Sequence, residues 1–174
     1  MDMKTVLIRN AFPFEHKEIG NLLVRAYSNL EGFPGVDEIP DYYNYLQNIG
    51  SITVNDSVDL IVATTDTNEI MGAVVFFKTM KLYGTEGIAP QQKNASGFRL
   101  LAVDQKYSGL GIGKKLCFEC IERTKELFHD ELIIHSTKFM PIARKMYTKM
   151  GFKHSKDLDF TKNEVEVFGY RLYL

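Results

Sequence analysis

The sequence specifies a mixed α/β domain on a central sheet. Segments of β-branched and aromatic residues alternate with segments whose apolar residues recur at helical spacing. The run Phe98–Val103 is apolar except for Arg99, as expected of a strand covered on both faces. A glycine cluster (Gly109, Gly111, Gly113) opens an amphipathic helix soon after it. Strands and helices alternating in this way build a layered α/β structure, and 174 residues fit one domain spanning 1–174 with a sizeable core.

Thr5–Arg9 reads as a short strand. From Pro13 to Leu30 the apolar positions Ile19, Leu22, Leu23, Ala26 and Leu30 have helical spacing. Glu31–Gly35 is rich in turn formers and breaks the pattern. A second helix, Pro40–Asn48, carries Tyr42, Tyr43, Tyr45 and Leu46. Val58–Thr64 and Ile70–Lys78 flank Asp66-Thr67-Asn68 and predict a hairpin. Residues 80–96, with their Gly, Gln and Asn, read as loop. After the 98–103 strand, Ile112, Leu116, Cys117, Cys120, Ile121, Leu127 and Phe128 mark one helix face. Glu131–His135 is the next buried strand. Pro141 starts a helix and Gly151 stops it. Gly151–Lys156 and Val165–Leu174 complete the strands.

Composition narrows the function. A net charge of −1 does not suit a nucleic-acid binder. No apolar run approaches the ~18 residues of a membrane helix, and Asp2, Lys4 and Arg9 interrupt any signal-like start, so the expected address is the cytoplasm. Cys117 and Cys120 form a lone C-x-x-C inside a helical pattern; packed, reduced thiols are expected, with no metal. The charge is unevenly spread. Residues 1–96 hold 7 Lys/Arg against 12 Asp/Glu, and residues 97–174 hold 14 against 10. Such a split suits a polyanion met by the second half, or simply solvated surface.

A strand, a glycine turn and a helix start make a phosphate site, because glycine lets the backbone approach and the first helical N–H groups have no intrahelical partner. Lys114 and Lys115 in the first turn oppose the helix dipole unless an anion lies nearby. A Walker loop is excluded: the register from Gly113-Lys114 puts Ser108 at the first glycine and Lys115 at the Ser/Thr position. The dinucleotide fingerprint fails too, since the run is G-x-G-x-G with Lys114 in the last place.

Leu101-Ala102-Val103-Asp104, followed by Ser108-Gly109-Leu110-Gly111-Ile112-Gly113, resembles the signature of GNAT acetyltransferases. So does Ala143-x-x-x-Tyr147-x-x-x-Gly151-Phe152. Ser108 departs from the pattern, standing where Arg or Gln is usual. The resemblance implies a GNAT-like acyl-CoA N-acyltransferase fold. Its twisted, mostly antiparallel sheet has two splayed central parallel strands and is flanked by helices. It also implies acetyl-CoA as co-substrate. The pantetheine arm would bond to the backbone of Leu101, Ala102 and Val103, and the pyrophosphate would lie on the amides of Gly109, Leu110, Gly111, Ile112, Gly113 and Lys114. Lys106, Lys114 and Arg144 are candidates for side-chain phosphate contacts or for solvated surface charge.

Acetyl transfer needs a deprotonated amine, donors for the oxyanion and an acid for the leaving thiolate. The resemblance makes Tyr147 the acid, and the amide of Leu101 or Val103 the oxyanion donor. The glutamate that many relatives carry early on the central strand is replaced by Gly97-Phe98. That leaves Glu86, His135 or a water chain as the base. The acceptor is an amine, small or peptidic, expected near Glu31–Gly35, the tyrosines of the second helix and Asp157–Glu164; those tyrosines equally suit core packing. A non-catalytic acyl-CoA-binding module is the alternative, and relatives admit a homodimer.

Overall fold

Side-chain burial on one stripe of each helix, and on both faces of the central strands, assembles the elements. The structure is a computed structural model that describes residues 5–84 and 86–174. In chain order the elements are β1 (Leu7–Asn10), α1 (His16–Ser28), α2 (Pro40–Gln47), β2 (Val58–Thr64), β3 (Ile70–Phe77), β4 (Ala95–Val103), α3 (Ile112–Glu126), β5 (Glu131–Thr137), α4 (Pro141–Lys149), β6 (Lys153–His154), β7 (Phe160–Lys162) and β8 (Val165–Tyr173). Strand order is β1-β2-β3-β4-β5-β8-β6, with β7 also on β8. β1 is antiparallel to β2, and β8 is antiparallel to β5, β6 and β7. β4 and β5 are parallel, from Ala95↔Glu131 to Gly97↔Ile133 only. The mixed α/β class and the mostly antiparallel sheet are therefore as the sequence predicts.

The chain folds into two compact units, Met1–Val75 with Leu100–Glu119 and Phe76–Arg99 with Cys120–Leu174. In the first, Ile19, Leu22, Leu23 and Tyr27 of α1 and Tyr43 and Leu46 of α2 are buried. Tyr27, Phe33, Tyr42 and Tyr43 form a chain of ring contacts with centroids 5.8–6.1 Å apart. The Tyr43 hydroxyl donates to the Pro34 carbonyl at 3.0 Å. Glu15 is buried, and both its oxygens accept from Arg9 at 2.8 Å while the Phe12 N–H adds a third bond at 2.6 Å. The Arg9 guanidinium holds the Glu15 carboxyl below the usual range.

In the second unit, β8 pairs with β5 along seven positions. Arg171, buried within β8, makes a two-pronged pair with Asp157 at 2.8 Å and also reaches Glu131 and Gln92. It thereby fastens a loop, a 3-10 turn and a neighbouring strand to one side chain.

The details refine the sequence reading. The first strand runs Leu7–Asn10, two residues beyond the expected start. Residues 80–96 include two 3-10 turns and the start of β4 at Ala95. Of the expected loop Asp157–Glu164, Phe160–Lys162 is a strand, closed onto β8 by Asn163 and Glu164, both at positive φ as a tight hairpin turn requires. Leu100, inside β4, also has a positive φ (57°), a conformation that costs a branched side chain about 1–3 kcal/mol and breaks the pleat there.

Replacing Arg9 with alanine leaves the Glu15 charge buried without its counter-ion. Chemical denaturation should register a loss of about 3 kcal/mol, the low end for such a break, because Arg9 keeps partial contact with water.

Candidate functional site

The first unit carries the glycine turn. β4 delivers Leu101 and Val103 half-buried and Ala102 buried, and the Asp104 N–H bonds to the Met71 carbonyl of β3 at 2.9 Å. The Asp104 carboxylate caps the next turn through the Lys106 N–H (2.9 Å) and pairs with Arg25 (3.2 Å). Ser108, Gly109, Leu110 and Gly111 are exposed. Gly109 and Gly111 adopt φ of 78° and 75°, and a Cβ at either would meet nothing within 4 Å. Glycine is needed here for conformation, since there is ample room. Lys115 N–H bonds back to the Gly111 carbonyl at 3.0 Å, so Ile112, Gly113 and Lys114 precede the helical ladder. The opposite side of this helix start is tight. A Cβ on Gly72 would lie 2.8 Å from the Ala102 carbonyl and 3.2 Å from Ile112 and Leu116. Bare backbone on β3 is what lets α3 sit down on the sheet.

The candidate cations differ in their engagement. Lys106 is paired with Glu69, which raises its pKa. Lys114 is exposed, its ammonium 5.6 Å from the centre of the Phe118 ring. In the second unit, Arg144 donates to the Tyr170 hydroxyl at 3.0 Å and lies over the Phe168 ring.

Tyr147 is buried on α4, edge-on to Phe98 (5.9 Å) and Phe152 (5.7 Å). His135 stands in a separate aromatic group. Its Nε2 lies 2.9 Å from the Leu158 carbonyl and its Nδ1 2.9 Å from the Tyr83 hydroxyl, with the Phe160 ring alongside. A carbonyl only accepts, so Nε2 carries the proton and Nδ1 accepts from Tyr83. Burial is the main force lowering the His135 pKa, with Arg99 and Arg171 adding to it. Glu86 is exposed on a loop, 3.6 Å from Lys162.

Tyr83 is the residue that sequence reasoning missed. It is buried in a segment read as loop, and a Cβ on Gly97 would come within 2.6 Å of its ring. The absent side chain at Gly97 was the available signal. Cys117 and Cys120 are free and buried, the Cys117 thiol pushed up to about 12 by burial. Among the described residues, no cluster of His, Cys, Asp and Glu could hold a metal ion. No helix among them is long and apolar enough to cross a membrane.

The family model of the acetyltransferase (GNAT) domain matches residues 47–174, a stretch that includes the glycine turn and α4. The chain belongs to the GNAT family. Solved structures with similar folds include a GNAT-family acetyltransferase from Staphylococcus aureus Mu50, 22% identical over 97% of this chain and 99% of that one, at a TM-score of 0.74. The PaiA N-acetyltransferase from Thermoplasma acidophilum, solved in complex with coenzyme A, is 14% identical over 97% and 99%, at 0.72. The ribosomal-protein-alanine N-acetyltransferase from Brucella melitensis is 17% identical over 97% and 99%, at 0.67. No curated protein sequence matches the chain. The similarity of fold thus covers 97% of the chain and extends N-terminal of the family match, which begins at residue 47.

The fold favours neutral His135. Its contribution to stability is therefore complete above the unfolded value of ~6.5 and is lost as pH falls below that, through the lower folded value. The thermal midpoint should drop between about pH 7.5 and pH 5. His135→Gln should be less stable at the upper end and show a flatter profile across this range; an unchanged slope would place the dependence elsewhere.

Proposed function

We propose that this protein transfers the acetyl group of acetyl-CoA to the primary amine of a small-molecule or peptide acceptor by direct attack. The observation that carries the reading is the exposed start of α3. There two glycines hold positive φ facing open space, and Ile112, Gly113 and Lys114 come before the helical hydrogen-bond ladder. Those features fit a diphosphate, which needs converging N–H donors and room for its oxygens. Membership of an acetyltransferase family and the coenzyme-bound T. acidophilum relative support the same ligand.

In this reading the amides of Gly109, Leu110, Gly111, Ile112, Gly113 and Lys114 hold the diphosphate, with Ser108 at the rim; the Leu110 N–H can do so only by leaving the Tyr107 carbonyl, 3.4 Å away. Lys114 and Arg144 add charge, and Lys106 can do so only by leaving Glu69. The backbone of Leu101, Ala102 and Val103 binds the pantetheine amides, and the Leu101 or Val103 N–H steadies the oxyanion. Acetyl-CoA supplies an activated thioester carbonyl. Tyr147 donates the proton that the departing thiolate needs; a phenol near ~10 and a thiol near ~8.5 keep that transfer feasible. The amine proton leaves through water, with His135 and Glu86 as its candidate acceptors. For His135 to accept at Nδ1, the Tyr83 hydroxyl must swing its proton away, and the Phe98 carbonyl at 3.5 Å is a ready alternative acceptor. Two buried free thiols suit a reducing compartment, and we place the protein in the cytoplasm.

Calorimetry with coenzyme A should show binding that Gly111→Val weakens at least ~10-fold, because a β-branched residue resists positive φ. The absence of binding in the unaltered protein would end this reading. Tyr147→Phe should keep the coenzyme affinity and lower kcat by roughly 100-fold, the lower range for a general acid. Unaltered turnover in that variant would remove Tyr147 from the chemistry.

A further inference from the structure

Arg99, in the second unit, has a charge that the described residues leave unmatched. It is half-buried on β4. Its contacts are neutral: Nη1 donates to the Tyr83 carbonyl at 2.7 Å, and the guanidinium lies 5.7 Å from the centre of the Tyr83 ring. Arg9, Arg25 and Arg171 meet carboxylates, at Glu15, at Asp104 and at Asp157 and Glu131, while Arg144 meets the Tyr170 hydroxyl. A guanidinium has five N–H donors in a planar fork, and at Arg99 the carbonyl occupies one of the two terminal nitrogens. A partly dehydrated charge with open donors is costly until an anion arrives, and the fork matches a carboxylate two-for-two.

The group is also held in place. Tyr83 cannot shift toward β4 because its ring already lies against Gly97, and its hydroxyl is bonded to His135. A Cβ on Gly84 would stand 3.6 Å from Arg99 Nη1, so backbone lies close to the guanidinium. Such fixing lowers the entropy cost of binding. Neither aromatic partner supplies a competing negative charge. Burial keeps the Tyr83 phenol protonated well above its usual range, and His135 can only be neutral or positive.

Strand alternation sets the direction. Phe98 turns to Tyr147 and Phe152, so its neighbour Arg99 occupies the opposite face of β4, shared with Gly97 and Tyr83. With Tyr147 assigned to the departing thiolate, the Arg99 face is left for the incoming amine. We infer that Arg99 receives a carboxylate of the acceptor, which makes the substrate class amino acids and carboxylate-bearing amines. For its acceptor this inference rests on the acetyl-transfer reading above.

The test is a panel of amino acids paired with their amides, such as glycine with glycinamide and aspartate with asparagine amide, scored by thiol release from acetyl-CoA. The acids should have kcat/KM at least ~10-fold above the amides, as a site built for a polar group rejects partners lacking it. Arg99→Gln should abolish that preference and leave both amide turnover and the apparent KM for acetyl-CoA unchanged. Arg99→Lys, which keeps the charge without the fork, should restore part of it. Equal use of acids and amides by the unaltered protein overturns the inference. So does a variant whose only defect is weaker coenzyme binding, which would give Arg99 to a coenzyme phosphate. If no amine turns over, N-acetyl amino acids and their amides are compared by thermal upshift. An upshift specific to the acids and lost in Arg99→Gln supports the assignment, and its absence overturns it. Failure of coenzyme A to bind would sink the acetyl-transfer reading alone, since the thermal-upshift comparison of acids with amides does not depend on the coenzyme.

Discussion

Main-chain donors at the start of a helix must be satisfied from outside that helix, and the first unit is organised around one such set. α3 begins right behind β4, and the absence of a side chain on Gly72 lets Ile112 and Leu116 reach the sheet. Their burial fixes the direction in which the first N–H groups of the helix point. The carboxylate of Asp104 fixes the approach, since it holds the Lys106 N–H and meets Arg25. The exposed surface of the turn is therefore a rigid product of a buried one. This separation lets the loop present bare backbone to solvent without losing its shape.

The second unit reaches rigidity by a different route. Long loops there are gathered onto a few polar side chains with several partners each. Arg171 ties Asp157, Glu131 and Gln92, and His135 ties Tyr83 to the Leu158 carbonyl. Each such hub is half or fully buried, so its bonds are worth more than the same bonds in water and removing one partner strands the rest. The Tyr147 ring, by contrast, is placed by aromatic packing against Phe98 and Phe152.

Features that depend on near neighbours in sequence were legible beforehand. The apolar period of α1 and of α3 as far as Ile121, the proline and glycine bracketing α4, and the Asp66–Asn68 turn translate directly into the elements seen. Leu127 and Phe128, expected on the same face of α3, instead lie past its end at Glu126 and are exposed, Phe128 at a positive φ that closes the helix. The glycine turn was legible for the same reason, because its conformation is set within a few residues. Features that depend on distant partners were not. Nothing local to Tyr83 announces that it will lie against Gly97 and bond to His135, and nothing near Leu100 foretells a left-handed residue inside a strand. β7 escaped notice because three residues are too few to show a period, and its turn uses Asn163 and Glu164 without a glycine. Ion pairs such as Lys106 with Glu69 are likewise invisible until the chain folds, though they decide which cations are available.

The empty surroundings of Gly109 and Gly111 carry a stereochemical consequence. Because a Cβ at either position touches nothing, only handedness excludes ordinary residues there. A mirror-image alanine, introduced by chemical ligation, prefers the very torsions these glycines adopt. It would narrow the freedom of the unfolded chain and leave the folded loop in its present shape. Chirality, rather than bulk, is thus the property through which this surface was restricted to the simplest amino acid.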